Sequence, residues 1–359
     1  MPDARHEWEQ YRSDEFARAS RVLTHRGFML DEHQPHTEGE RFLLSGHKLV
    51  LVGSKDGARC IMKVSSDERG KEELRYEHEC RHTLHNLDFA YRPFFSPDEL
   101  AYFEEEGVLV LVTGFIEEEK AFLAHTTEEQ FFLALGAFKT QEGVQATTYR
   151  HAQTIKDVFG IADGARYLSD FHEYGETVRT ASDPEANRVM QEAGAFLTDH
   201  AVNIERYTGF LTHTDFVPHN LRIGSGYMYL LDHTSLRFGN KYESWGRFVN
   251  YMTLYNPELE SALVEYVRKN RSAEEYEALR LMRVYKLGFL LAFYARSYGK
   301  TMGDVQELAR IRIAFWTQAL KAVLADTQLS KETIEAYKEN RNRLRSDEEK
   351  QRQKLLNQL

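Results

Sequence analysis

Apolar positions in this chain follow two different rhythms. Between Arg41 and Ser65, "RFLLSGHKLVLVGSKDGARCIMKVS", three short apolar runs are split by Ser45-Gly46 and by Lys55-Asp56-Gly57. Asp-Gly between apolar runs is a strong hairpin signal, so this stretch predicts an antiparallel meander ending on Lys63. "GVLVLVTGF", from Gly107 to Phe115, predicts a buried strand, and "IEEEKAF" then leaves the sheet. From Thr126 to Arg206 the pattern turns helical, with a break at "ASDPEAN". Helices dominate again beyond Tyr242, with breaks near Asn256-Pro257, from Lys269 to Ser272 and from Gly299 to Gly303. The only strand-like island in that half is "GFLTHTDFVPHNLRIGSGYMYLLDH", Gly209 to His233.

Residues 5 to 26 predict an exposed helix, and "HQPHTEGE" breaks it. "DERGKEELRYEHECRHTLHNL" predicts a charged helix on which Leu74, Glu77, Arg81 and Leu84 recur at helical spacing. The last thirty residues are almost all polar and predict a solvated helix or tail. The expected division is an N-terminal helical extension (1–40), a β-rich lobe (41–116), a larger helical lobe (117–329) and a charged C-terminal helix or tail (330–359).

Composition narrows the class. The 359 residues are 42% hydrophobic and 28% charged, enough apolar side chains for real cores in more than one lobe. The net charge of −10 argues against nucleic acid as a partner, since phosphate binding wants a basic footprint. Cys60 and Cys80 form no CxxC pair, so neither zinc nor a disulfide framework is indicated. The charged N-terminus has no apolar core of a signal peptide, and "GVLVLVTGF" is too short to span a bilayer. A cytoplasmic protein with no membrane partner is expected; the oligomeric state is left open.

Candidate chemistry concentrates in the strand-like island. "NLRI" and "YMYLLD" flank Gly224-Ser225-Gly226, which predicts a β-hairpin with the glycines supplying positive φ. Antiparallel pairing then brings Asn220, at the start of one strand, close to Asp232, at the end of the other. His213 and Asp215 sit on the loop just before. An amide oxygen beside a carboxylate is hard-oxygen ligation suited to Mg²⁺, and Asp215 is left to accept a proton or orient a hydroxyl. The spacing matches the phosphoryl-transfer template: a base Asp, four residues, a metal-binding Asn, then a second metal-binding Asp after a hairpin.

"HTDFVPHN" resembles the catalytic loop of the aminoglycoside phosphotransferase and choline kinase-like superfamily. The match lies at His213, Asp215, Pro218 and Asn220, with Thr214 where that loop usually has glycine. Gly239 fits a glycine that often follows the second Asp; Asn240 stands where an Asp often comes next, and a further acid falls at Glu243, one position off. The resemblance spans about residues 40 to 245. It implies an α+β, bilobal protein kinase-like fold: a small antiparallel β-sheet N-lobe with one helix, and a larger, mostly helical C-lobe.

The resemblance also implies a strand lysine on the α/β-phosphates, Lys63, and an orienting helix glutamate, Glu77, with Glu73 and Glu79 as competitors. Ser45 and Gly46 would belong to the phosphate-covering loop. "LVLVTGFIEE" would be the edge strand and hinge, with backbone groups from Thr113 to Phe115 reading the adenine. ATP and Mg²⁺ are the implied cofactors, with Asn220 and Asp232 as metal ligands, Asp215 as catalytic base and His213 as a scaffold of the loop. The activity implied is transfer of the γ-phosphate to a hydroxyl of a small molecule held by the helical lobe. A non-catalytic nucleotide-binding protein on the same fold is the alternative. A protein kinase fits less well: no Arg follows His213, and "DHT" stands where Asp-Phe-Gly would be.

The acceptor is not fixed by the sequence. Glu117, Glu118, Glu119, Glu128, Glu129, Asp163, Asp170 and Glu173 favour a cationic substrate such as an aminoglycoside, but Arg268, Lys269, Arg271, Arg280, Arg283 and Lys286 offset that bias. Amino alcohols and sugars fit as well. His78, His82 and His85, at helical spacing, read as a solvated face, and the run Phe248, Tyr251, Tyr255, Tyr285, Phe289, Phe293, Tyr294 reads as core more than pocket.

Overall fold

The computed structural model describes residues 3–32, 43–45, 47–87, 95–143, 151–181 and 183–345. Gly46, the "HQPHTEGE" break and the last fourteen residues lie outside them. The first lobe is built on strands β1 (Met29–Leu30), β2 (Leu43–Ser45), β3 (Lys48–Lys55), β4 (Ala58–Ser65), β5 (Glu99–Glu105) and β6 (Val108–Gly114). They pair antiparallel in the order β1-β3-β4-β6-β5, with β2 also on β3. Alternation decides what each face meets. Leu49, Leu51, Cys60, Met62, Val64, Val108, Val110 and Val112 form one apolar face, covered by Ala19, Val22 and Leu23 of helix α1 (Asp3–His25). The opposite face carries Leu109 and Leu111 against Leu74 of α2 (Glu68–Asn86). Lys63 pairs in register with Val50 and Leu111, so its side chain emerges on the α2 face.

Two expectations change here. Helix α1 is not an exposed extension, because Ala19 and Leu23 are fully buried on the sheet. Strand β6 is not an edge: β5, which the sequence reading missed, flanks it, and six of the seven β6 residues are buried.

The tight turns use paired positive φ angles. Asp56-Gly57 (φ 51° and 81°) joins β3 to β4, and Glu106-Gly107 (φ 50° and 76°) joins β5 to β6. Such two-residue turns match the twist of the strands they connect.

The second lobe contains α3 (Thr127–Glu142), α4 (Ala152–Phe159), α5 (Gly164–Arg179), α6 (Pro184–Asp199), α7 (Ala201–Arg206), β7 (Phe210–His213), β8 (Leu221–Gly224), β9 (Tyr227–Leu230) and β10 (Leu236–Gly239). It continues with α8 (Glu243–Tyr255), α9 (Pro257–Asn270), α10 (Ala273–Tyr298), α11 (Gly303–Leu324) and α12 (Lys331–Leu344). Local chemistry sets the boundaries: Asn256 caps α9 with Pro257 at its first position, and Ser272 forms a capping box with Glu275 on α10. The core runs along α8 and α10, which cross where Gly246 meets the α10 backbone at Met282 and Arg283. Helix α12 is docked rather than solvated all round. Ile334 and Tyr337 are buried, and Tyr337 stacks on Phe315 of α11 at 3.9 Å. Among the described residues no helix is long and apolar enough to cross a membrane.

Candidate active site

Two small antiparallel pairs, β7 with β10 and β8 with β9, place the polar residues of the island. The turn of the second pair uses Ser225 and Gly226 (φ 51° and 77°). Gly224 instead ends β8, where an added Cβ would lie 2.9 Å from Ile116 Cγ2. So Ser225, not Gly224, takes the first left-handed position. At the other end of this hairpin Leu231 N–H donates to Asn220 O at 3.0 Å, which closes the base and sets Asn220 beside the residue preceding Asp232. His213, fully buried at the end of β7, donates from Nε2 to the Asp232 carbonyl at 2.7 Å. That bond defines its tautomer; burial pushes its pKa down, so it sits as a neutral tie between the two segments.

Asn220 Nδ2 donates to Asp215 O at 2.9 Å and to Asp215 Oδ2 at 3.0 Å. Its amide oxygen is thereby turned away from Asp215. The Asp232 carboxylate accepts from Thr234 N–H (2.9 Å), Thr234 Oγ1 (2.7 Å) and Ser235 Oγ (3.3 Å). Burial and Glu77 push its pKa up, but Lys63 and these donors outweigh them and hold it below the usual carboxylate range. An ionised carboxylate and an amide oxygen at one hairpin base are a donor set that fits Mg²⁺.

The first lobe contributes a buried ion pair. Lys63 Nζ donates to both Glu77 oxygens, at 2.6 and 2.7 Å, and its third contact is the Leu231 carbonyl at 3.1 Å. Glu77 is fully buried and also takes Arg81 Nη2 at 3.1 Å; Arg81 Nη1 donates to Pro97 O. Glu73 instead pairs with Lys48, and the α2 acid in contact with Lys63 is Glu77. Lys63 thus sits against the residue before Asp232, across the cleft between lobes.

Ser45 ends β2 opposite Lys48, and Gly46 lies outside the described residues. Thr113 is buried in β6, paired with Ile61 and Glu99. The N–H groups of Gly114 and Phe115 are already taken by Asp98 O (2.9 Å) and Arg59 O (3.3 Å). The chain leaves the sheet only at Ile116, and Glu118 then binds Ile223 N–H of β8 at 2.9 Å.

Sequence reasoning missed two residues. Arg247, one turn into α8, donates from Nε to Asp215 Oδ1 at 2.9 Å. Burial pushes the Asp215 carboxyl up, but Arg247 outweighs it and the net shift is downward. Ser244 is the other. Its hydroxyl accepts from His213 N–H at 2.8 Å and bonds Thr212 Oγ1 at 2.8 Å, so α8 grips the candidate loop through it. Glu243 plays no part in that grip: it is buried with Arg237 (2.7 Å), Lys286 (2.8 Å) and Tyr167 (2.6 Å). Asn240 is a buried turn lock, accepting from Tyr242 N–H and donating to Ile204 O. Thr214 ties the loop to the Ser235 carbonyl through both N–H (2.8 Å) and Oγ1 (3.1 Å). The apolar-to-polar rhythm carries no signal for Arg247 or Ser244, because α8 is buried nearly all round and its polar residues do not mark one face.

The acids noted in the sequence lie elsewhere. Glu117 and Glu129 help line a groove of about 1030 Å³ beneath the β8–β9 hairpin, against α3, which does not include Lys63, Asp215, Asn220 or Asp232. Asp163 caps α5, and Asp170 pairs with Arg166. His78 stacks on Tyr102 and bonds Glu99, and no cluster of metal-ligating side chains occurs among the described residues.

No family model and no curated protein matches the sequence. Solved structures do match the fold. An aminoglycoside phosphotransferase from Alicyclobacillus acidocaldarius aligns at a TM-score of 0.55 with 15% identity, over 85% of this chain and 95% of that one. Aminoglycoside phosphotransferase APH(4)-Ia aligns at 0.52 with 13% identity, over 86% and 97%; a thermostable mutant of it has been solved with ADP and hygromycin B. The gentamicin complex of APH(2'')-IIa aligns at 0.52 with 13% identity, over 77% and 91%. The chain therefore has the α+β, bilobal, protein kinase-like fold of the aminoglycoside phosphotransferases.

Proposed function

We propose that this protein is an ATP-dependent small-molecule kinase that moves the γ-phosphoryl group of ATP to a hydroxyl. The observation that carries the reading is convergence: Lys63 from β4, Glu77 from α2, and Asp215, Asn220 and Asp232 from the second lobe meet around the Leu231–Asp232 backbone. Lys63, oriented by Glu77, would hold the α/β-phosphates. Asn220 and Asp232 would hold Mg²⁺, which supplies neutralisation of the phosphate charge. The nucleobase edge would meet the backbone from Ile116 onward, beyond Thr113 to Phe115, since the Gly114 and Phe115 N–H groups are occupied.

Asp215 would orient the acceptor hydroxyl and take its proton as the new oxygen–phosphorus bond forms and the bond to the ADP oxygen breaks. His213 holds the loop and moves no proton. Most of the acceleration on this template comes from positioning and charge stabilisation. Asp215, with its pKa held down, suits that division because it stays ionised and aligned.

One observation favours the alternative, a nucleotide-binding regulator without transfer: Arg247 already occupies an Asp215 oxygen. The two readings separate cleanly. Mg²⁺-dependent thermal stabilisation by ATP tests binding, and Asp215→Asn tests transfer. The kinase reading expects that variant to keep nucleotide binding and lose turnover across acceptors; full activity in Asp215→Asn would sink it.

A further inference from the structure

The cations around the cleft differ in what they have left to give. A lysine ammonium has three N–H donors. Those of Lys63 meet the two Glu77 oxygens and the Leu231 carbonyl. Arg81 spends its guanidinium on Glu77 and on the carbonyls of Pro97 and Leu231. The loop from Asp215 to Asn220, "DFVPHN", holds no lysine or arginine. Its one basic residue, His219, is pushed toward the neutral form by burial, and so is His213.

Positive charge reaches Asp215 from helix α8 instead. Arg247 Nε lies 2.9 Å and Nη2 2.8 Å from the same oxygen, Asp215 Oδ1. Asp215 is its only ion-pair partner among the described residues. A guanidinium carries five N–H donors in a planar fork. With one edge of the fork turned to Oδ1, Nη1 has no partner among the described residues and is not sealed from solvent. Only 11% of the side chain is exposed, so little water screens its charge.

That free edge lies where the proposed transfer needs charge. The acceptor oxygen would sit within hydrogen-bond reach of Asp215, with the phosphorus about 3–3.5 Å beyond it. The phosphoryl group therefore passes beside the carboxylate that Arg247 touches. Its charge is spread over three equatorial oxygens, and stabilising that charge is most of the catalysis on this template. Asp215 Oδ2 is held from the other side by the neutral Asn220 amide at 3.0 Å, so the cation at this carboxylate is Arg247.

Resting on the phosphotransferase reading, we propose that Arg247 is a catalytic residue. Its Nη1 edge donates to an equatorial oxygen of the phosphoryl group in transfer, while Nε keeps Asp215 aligned. Arg247 gives hydrogen bonds and no proton. The acceptor proton goes to Asp215 as the new oxygen–phosphorus bond forms and the bond to the ADP oxygen breaks. The contact that would idle a regulator thus joins base and phosphoryl through one side chain.

The test uses the full chain and needs no acceptor. Mg²⁺-ADP is titrated alone and with aluminium fluoride, whose planar anion stands in for the transferring phosphoryl, and calorimetry gives Kd. In the native protein aluminium fluoride should tighten Mg²⁺-ADP by about 100-fold, the lower end for a transition-state analogue. Arg247→Met should bind Mg²⁺-ADP within about twofold of native and lose at least about tenfold of that tightening, the scale of one hydrogen bond to a charge. Asp215→Asn should keep the tightening, because Arg247 still donates; a role confined to aligning Asp215 would weaken both variants alike. Should Arg247→Met fail to fold, Arg247→Lys takes its place with the same loss expected, since a compact ammonium cannot serve two partners as the fork does. Full tightening in the Arg247 variant, equal loss in the two variants, or no tightening in a native protein that binds Mg²⁺-ADP overturns this proposal and leaves the nucleotide site standing. Absence of any Mg²⁺-dependent ADP binding by the native protein overturns the kinase reading itself.

Discussion

Glu77→Gln is the most discriminating single change, because shape is kept and only charge is removed. In the native chain two cations share this one buried carboxylate: Lys63, with 13% of its side chain exposed, and Arg81, with 7%. The amide would offer one oxygen and turn an NH₂ toward a positive group. Breaking a buried pair by removing one partner costs about 3–5 kcal/mol. Lys63 keeps the Leu231 carbonyl and Arg81 keeps the Pro97 carbonyl, which favours the lower end. About 3 kcal/mol corresponds to a fall in Tm of roughly 4 °C for a chain of this size. Loss of a fixed electrostatic contact to phosphate should lower kcat/KM for ATP by about 100-fold.

The pH dependence has a definite sign. Burial pushes Glu77 up, but Lys63 and Arg81 outweigh it, so its folded pKa is depressed. Its contribution is therefore present above the ordinary carboxylate range and is lost as pH falls through the folded value. The Tm gap between native and variant should be full at neutral pH and close only in strong acid. Differential scanning fluorimetry across pH, with steady-state kinetics at neutral pH, measures both. A Tm within 2 °C of native at neutral pH, with unchanged kcat/KM for ATP, would refute the reasoning about the shared carboxylate.

Three further outcomes are expected. Ser244→Ala removes the hydroxyl bonded to His213 N–H and Thr212 Oγ1 and should cost about 1–3 kcal/mol in denaturant unfolding, with kcat falling more than KM for ATP rises. Arg247→Met leaves burial as the dominant influence on Asp215, so the acid limb of the kcat/KM profile should move to higher pH; an unmoved limb would separate Arg247 from the base. Gly246→Ala places a Cβ 2.8 Å from Met282 C and 2.9 Å from Arg283 N, backbone atoms that cannot turn aside, and should destabilise by about 1–3 kcal/mol; an unchanged Tm would show that α8 and α10 can separate freely.

What the sequence reveals depends on how locally each feature is encoded. The β8–β9 hairpin is local: apolar strands, a Ser-Gly turn, and polar residues at both ends of the base are enough to bring Asn220 next to Leu231. Lys63 is nearly as local, since an Asp-Gly turn fixes the register of β4 and so the face on which its side chain emerges. Strand β5 is less legible, because none of its residues is fully buried: Ala101 and Phe103 pack on one face and Tyr102 on the other, while its glutamates read as a charged loop. Strand β10 is four residues long and exists because it pairs with β7. Helix α12 looks solvated by composition; three buried side chains, Ile334, Tyr337 and Arg341, are what dock it.

The acceptor side is illegible for a stronger reason. A count of acids and bases on the helices left the bias toward a cationic acceptor offset, because it weighs every charge alike. The fold does not. It spends Glu243 on Arg237 and Lys286, Glu260 on Arg283, and Glu129 on the cap of α3. Each of those acids is committed within the scaffold. What survives beside Asp215 is one guanidinium, Arg247, with Nη2 2.8 Å from Oδ1, since burial pushes His213 and His219 toward their neutral forms. Charge balance at a site is thus a difference between partners fixed by tertiary contacts tens of residues apart. Composition along the chain cannot supply it, even when the loop proposed to carry the chemistry is spelled out in eight consecutive residues.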